Sequence, residues 1–287
     1  MIVVTGATGK LGRETALRLL DRVAPEQLGV CVRDPAKARD LAARGVRVRA
    51  GDFADPAGLA HAFEGATRVL VVSVDRTGEQ AVRLHANAVR AAVDAGVERV
   101  VYTSHAGARP DSPFAPMPDH AATEDVLRSS GVGFTALRNG FYASTVLQLL
   151  AGALRTGELA VPEDGPVAWT AHADLAEAAA LALTGDAPTG RTAPLTAGEA
   201  LDAGGIAELA SSVTGRAIRR VVVSDERYHA DLVGHGVPEA GATMLVGLFA
   251  AARRGDFATA DPTLTTLLGR PPTRLGAVLA EGIRRTP

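Results

Sequence analysis

Residues 1–12, MIVVTGATGKLG, limit the fold more than any other stretch of the chain. An apolar, β-branched run stops at Gly6, and Gly9 and Gly12 follow at three-residue intervals. A helical pattern then places Leu11, Leu19, Leu20 and Val23 near one face. Glycine admits positive φ in a tight turn, and it lets backbone N–H groups come close to a pyrophosphate at a helix N-terminus. The spacing is G-x-x-G-x-x-G and departs from the usual G-x-G-x-x-G. Set between a strand and a helix, it still predicts a dinucleotide cradle made of Gly6, Thr8, Gly9, Lys10, Leu11 and Gly12.

The rest of the first half repeats the alternation. LGVCVR, VRVRAGD, RVLVVSV, RVVYTS and FTALRNG read as strands with helical stretches between them. Asp34-Pro35 and Asp55-Pro56 each pair a cap with a proline at the first helical position. A long helix is expected over about 78–95, ending at Gly96, and another ending near Gly131. Short apolar strands alternating with helices predict an α/β fold, a doubly wound parallel Rossmann sheet. The second half is richer in helix and turn signals, punctuated by PEDGP and GRPP. The expected division is a Rossmann domain over 1–140 and about 166–190, with a smaller, discontinuous substrate-capping lobe over about 141–165 and 191–287. Phe141, Met244, Leu245, Leu248 and Phe249 are candidates to line a pocket under that lobe, the last four equally readable as lobe core at helical spacing.

Composition removes several function classes. A formal charge of −2 over 287 residues offers no basic surface for nucleic acid or a membrane. Cys31 is the only cysteine, which excludes an internal disulfide. Neither a secretory leader nor an apolar run of the roughly 20 residues that span a bilayer is present, so a soluble, cytoplasmic monomer or homodimer is expected. His172 and Asp174 do not make a metal site, because Asp174 reads as a helix N-cap. His229 and His235 lack companion ligands, so no metal is expected. Asn87 reads as structural.

The second strand ends in Val32-Arg33-Asp34-Pro35. A fold that prefers NAD puts an acid on the ribose 2′-hydroxyl here, whereas Asp34 is better used as the cap before Pro35. Arg33 is left facing the ribose, and guanidinium pairs well with a 2′-phosphate. NADP(H) is therefore expected, with Lys37 adding to the phosphate site. Asp52 and Phe53 end the third strand where an adenine would lie; Asp52 either accepts from the adenine amino group or serves as a turn residue.

VTGATGKLG, VRDPAKA, GDFADPAGLAHAFEG, RVVYTSHAGA, HAATEDVLRSSGVGFTALRNGFY and LLGRPPTRL together resemble the NmrA-like group of atypical short-chain dehydrogenase/reductases, the quinone oxidoreductases within it above all. The resemblance implies an extended Rossmann domain, NADP(H) and a pocket between the sheet edge and the C-terminal lobe. It makes Asn139, Gly140 and Phe141 contacts of the nicotinamide, adds Ser73 to the cofactor set, and leaves Tyr142 as a tyrosine able to enter the pocket. In extended members a serine beyond the fifth strand is followed by a Tyr-x-x-x-Lys pair. Ser104 and His105 stand near the first position, and Pro116 and His120 stand where the pair belongs. Lysine occurs only at positions 10 and 37, so no shift of register recovers it.

Without that tyrosine a simple ketone is a poor acceptor, because hydride addition makes an alkoxide that needs an acid beside it. A quinone yields a hydroquinone anion with delocalised charge, and a hydroxylated aromatic ketone carries its own donor. The expected function is an NADPH-dependent reductase of a quinone or a polyketide-type aromatic ketone, a small aromatic substrate. Ser104, His105 and His120 are its catalytic candidates. His120 either orients the cofactor or also relays a proton; His105 either polarises the acceptor oxygen or is structural. The alternative is a non-catalytic NADP(H)-binding redox sensor, which the missing pair suits equally.

Overall fold

The structure is a computed structural model that describes residues 1–185 and 188–285. Asp186 and Ala187, near the end of the expected second Rossmann segment, and Thr286 and Pro287 lie outside the described residues. The first half runs β1 (Ile2–Thr5), α1 (Lys10–Leu20), β2 (Leu28–Val32), α2 (Arg39–Ala43), β3 (Arg47–Ala50), α3 (Pro56–Phe63), β4 (Arg68–Val71), α4 (Glu79–Asp94), β5 (Arg99–His105), α5 (Pro116–Ser129) and β6 (Gly133–Asn139). The second half runs β7 (Phe141–Tyr142), α6 (Ser144–Thr156), β8 (Glu158–Val161), β9 (Trp169–Thr170), α7 (His172–Thr184), β10 (Gly190–Arg191), α8 (Ala203–Thr214), β11 (Arg219–Val222), α9 (Asp225–Gly234), α10 (Glu239–Arg253), α11 (Thr263–Leu268) and α12 (Leu275–Arg285).

Seven parallel strands form the main sheet in the order β10-β6-β5-β4-β1-β2-β3. The order reverses between β1 and β4, the switch point outside whose carboxyl ends such sheets bind ligands. Alternation along each strand feeds two cores. Val4, Val30, Leu70 and Val101 face α1 and α7 through Leu19, Leu175 and Ala179. Val3, Val69, Val71, Val100 and Tyr102 face α3, α4 and α5 through Leu59, Phe63, Val89 and Leu127.

A third core holds the lobe together. Val146 and Leu150 of α6, Leu159 and Val161 of β8, Trp169, Ile206 of α8, Leu248 and Phe249 of α10, and Leu279 of α12 are buried there. Leu248 and Phe249 thus belong to lobe core, and Met244 packs against it. β8 pairs with β11 and β7 with β9, both parallel. The PEDGP segment is fastened rather than free: Asp164 Oδ2 accepts from the Ala203 amide at 2.7 Å, and Gly165 lies against the Ala252 carbonyl.

Three local expectations change. Asp34 caps as expected, accepting from the Ala36 amide at 3.0 Å, but it opens a 3₁₀ turn, Pro35–Ala38, before the short α2. Asp174 is no N-cap; Ala171 holds that position, and the buried Asp174 carboxylate instead ties α7 to the GRPPT turn. Leu264 of α11 is buried in the core beneath the main sheet, so this part of the C-terminal segment packs with the Rossmann layers.

Candidate active site

The glycine turn is shaped as the sequence requires. Gly6 takes φ +63°, and a Cβ on Gly12 would stand 2.5 Å from the Gly6 carbonyl oxygen, so the helix can approach the strand only without a side chain there. Gly9 caps α1 with no side-chain hydrogen bond. Among the described residues nothing accepts from the amides of Thr8, Lys10, Leu11 and Gly12, which leaves an uncommitted donor set at a helix N-terminus.

The loop after β4 is organised differently. Its first three amides all turn inward: Val72 N–H to Thr5 Oγ1 at 2.9 Å, Ser73 N–H to Thr103 Oγ1 at 2.8 Å and Val74 N–H to His85 Nε2 at 3.0 Å. Further along, Gly78 N–H donates to Asp119 Oδ2 at 2.7 Å. Side chains from β1, β5, α4 and α5 therefore fix one loop, and Ser73 is held at the edge of the cleft.

The side chains of Arg33 and Lys37 are exposed and make no hydrogen bond or ion pair among the described residues. Asp52 takes the turn role: its Oδ1 accepts from the Ala54 amide at 2.9 Å. Phe53 is half-buried beside it, and its carbonyl accepts from Asn87 Nδ2 at 2.9 Å, so Asn87 ties α4 to this turn.

At the carboxyl ends of β5 and β6 two histidines meet an aromatic cluster. His105 Nδ1 accepts from the Gly107 amide at 3.0 Å, and its Nε2 is buried without a partner. Burial lowers its pKa to about 3, which favours the neutral ring near neutral pH. The rings of Phe141 and Phe257 stand edge-on to it at 5.3 and 5.5 Å, and Phe114 and Trp169 extend the wall. His120 projects from the second turn of α5 with its ring 6.2 Å from His105, and its Nδ1 lies 2.8 Å from the Tyr102 hydroxyl. Burial, then His105 and His85, hold His120 well below its ordinary value. That disfavours the version of the expectation in which His120 relays protons by titrating.

Asn139, the last residue of β6, is buried with neither side-chain polar atom hydrogen-bonded. Gly140 is required beside it, since a methyl group would overlap Thr170 Oγ1. The next two side chains diverge. Phe141 packs into the lobe, while Tyr142 lies against the Rossmann core, stacked on His172 at 4.2 Å. Burial pushes the Tyr142 phenol up to about 12, and the nearby Asn139 amide tempers that shift without completing a hydrogen bond. His172 falls to about 4 through burial and the nearby Lys10 charge, which places Lys10 beside this pair.

Ser104 is corrected. Its hydroxyl donates to Glu124 Oε1 at 2.6 Å, and the buried Glu124 also takes Arg138 at 2.7 Å and Arg191 at 2.5 Å. The hydroxyl hydrogen is spent on an ion-pair cluster between β5, β6 and α5 and is not available to a substrate. Conversely, Tyr102, His85 and Thr123 were not singled out by their sequence positions. The available signal was a tyrosine within the strand RVVYTS, whose hydroxyl must find a partner once buried.

Uncommitted turn amides, unpaired cations at the end of β2 and the orphaned amide of Asn139 together fit a phosphorylated dinucleotide lying across the switch point. Fold and glycine turn thus define a dinucleotide-binding Rossmann protein with an aromatic cluster at the carboxyl ends of β5 and β6. The chain belongs to the NmrA-like family, whose model matches residues 1–265. It is 34% identical over 278 residues to quinone oxidoreductase 2 of Escherichia coli, with 96% of each chain covered. It is 33% identical over 272 residues to NAD(P)H azoreductase of Xenophilus azovorans, with 94% of each covered. The structure of the Escherichia coli NADPH-dependent quinone oxidoreductase complexed with NADPH matches with a TM-score of 0.94 at 33% identity, over 99% of this chain and 100% of that one. Triphenylmethane reductase of Citrobacter sp., complexed with NADP(H), matches at 0.90 and 32%, over 98% and 99%.

Proposed function

We propose that the protein is an NADPH-dependent oxidoreductase that reduces a small aromatic acceptor, a quinone or a hydroxylated, polyketide-type aromatic ketone. The carrying observation is the pair of histidines set against an aromatic cluster at the carboxyl ends of β5 and β6, with no Tyr-x-x-x-Lys pair in the sequence. Relatives that cover nearly the whole chain and are named for quinone and azo reduction support the reading.

When bound, the reduced nicotinamide supplies a hydride. The amides of the Gly6–Gly12 turn take the pyrophosphate charge, and Arg33 and Lys37 take the 2′-phosphate. Asn139 offers a donor and an acceptor to the carboxamide end, and Ser73 borders the same cleft. Phe141 and Phe257 exclude water, which strengthens every remaining polar contact. His105 and His120 cannot supply protons by titrating near neutrality, so they act as hydrogen-bonding groups toward the acceptor or the cofactor ribose. A delocalised product anion tolerates this arrangement and an alkoxide does not.

The test follows NADPH oxidation against quinones, hydroxylated aryl ketones and simple ketones, with NADPH binding measured alongside. Turnover on the first two classes only is expected. Tight NADPH binding with no turnover on any class would replace the enzyme with the redox sensor.

A further inference from the structure

We infer that Tyr102 is a positioning residue for His120: by donating its hydroxyl hydrogen to Nδ1 it holds the ring as the Nε2–H tautomer, so the open side of His120 gives a hydrogen bond and cannot accept one. The role of that donor rests on the reduction proposed above; the tautomer itself does not.

The direction of the hydrogen follows from counting donors. A backbone amide can only donate, so Val74 N–H makes His85 Nε2 an acceptor, and the neutral His85 ring must carry its hydrogen on Nδ1. That hydrogen goes to Thr123 Oγ1 at 2.9 Å. The Thr123 hydroxyl donates in turn to the Asp119 carbonyl at 2.8 Å, which commits its only hydrogen. Tyr102 is fully buried beside this chain, and its hydroxyl keeps one hydrogen to place. Thr123 Oγ1 also lies near the Tyr102 hydroxyl and favours its ionised form, but it accepts from His85 and gives its own hydrogen to the Asp119 carbonyl. His120 Nδ1, an imidazole nitrogen at 2.8 Å, is the stronger acceptor and takes the hydrogen. Burial also holds Tyr102 far above its ordinary value, so the hydroxyl stays protonated and the device is permanent.

His105 reaches the same state by another route. The Gly107 amide occupies its Nδ1 and leaves the hydrogen on Nε2. Two rings 6.2 Å apart are thereby both set as donors, one by backbone and one by a buried tyrosine. Neither ring can serve as a base in this state. Such a site stabilises negative charge that appears on an acceptor and gives no help to the removal of a proton from an alcohol, so it is built for the reductive direction.

The experiment uses the full chain labelled with ¹⁵N in histidine, with the His120 ring assigned by the signals lost in His120→Gln. Long-range proton–nitrogen spectra should show Nδ1 as a bare, pyridine-type nitrogen and Nε2 as the protonated one. In Tyr102→Phe the two resonances should move toward each other as both tautomers become populated. A protonated Nδ1 in the parent protein overturns the inference, and so does an unchanged spectrum in Tyr102→Phe; the parent spectrum decides even where that variant does not fold. In the folded variant kcat for a quinone should fall about tenfold while the NADPH Kd stays within about twofold. The expected spectrum in a protein that turns over no acceptor would defeat the proposed function and support the tautomer.

Discussion

Asp174 Oδ1 accepts from Arg270 Nη1 at 2.8 Å, and the other oxygen of the same buried carboxylate takes the Thr273 amide at 2.6 Å. Two residues nearly a hundred positions apart thus close the C-terminal turn onto α7. Removing Arg270, whose side chain is exposed, takes one of two partners from a fully buried carboxylate. Asp174→Ala and Arg270→Ala should each cost about 2–4 kcal/mol in urea unfolding, with Asp174→Asn milder because it keeps an acceptor. A loss under about 0.5 kcal/mol in both alanine variants would show that the turn is held by something else.

Arg33 decides the cofactor preference. Losing one charge-assisted contact to the 2′-phosphate should weaken NADPH binding about 10- to 100-fold and leave NADH binding nearly unchanged. Isothermal titration of Arg33→Ala with both nucleotides gives the comparison, and equal losses would remove Arg33 from the phosphate site.

Gly140→Ala should be costly although alanine is the smallest possible addition. The methyl group would overlap Thr170 Oγ1, a buried hydroxyl that donates to the Ala168 carbonyl and accepts from the Ala197 amide. Overpacking of this kind costs about 1–3 kcal/mol, and it would displace the adjacent Asn139. A lower melting temperature together with weaker NADPH binding is expected; unaltered binding would mean that Asn139 does not meet the cofactor.

His85 gives the protein an acid sensitivity of its own. Burial lowers its pKa from 6.5 unfolded to about 4 folded. Below 6.5 the unfolded chain takes up a proton that the folded chain refuses, so stability falls as pH drops through that window and levels off below 4. The slope contributed is at most about 1.4 kcal/mol per pH unit. Comparing ΔG of unfolding at pH 7, 5.5 and 4 in the parent and His85→Gln isolates it, since the carboxylate background is common to both. Parallel curves would refute the assignment.

The sheet was legible because its strands are short apolar runs separated by Asp-Pro caps and glycines, signals that act within a few residues. The glycine turn before α1 was legible for the same reason. Ser104 was misread because its partner is Glu124, twenty residues on and across a helix, and no local signal announces an ion-pair cluster. A period-2 reading of RVVYTSH would have helped, since it puts Ser104 on the face of Tyr102, which packs toward α5, and His105 on the other. The α7–Arg270 pairing had no local signal at all.

The inward-turned amides at Val72, Ser73 and Val74 have a further consequence. With those hydrogens spent on Thr5, Thr103 and His85, none of the three amides is left to donate to a ligand, while the Ser73 hydroxyl accepts from Thr103 and keeps its own hydrogen. The uncommitted amide hydrogens lie instead at the glycine turn of α1. A phosphate therefore meets backbone donors at that turn and none at these three residues.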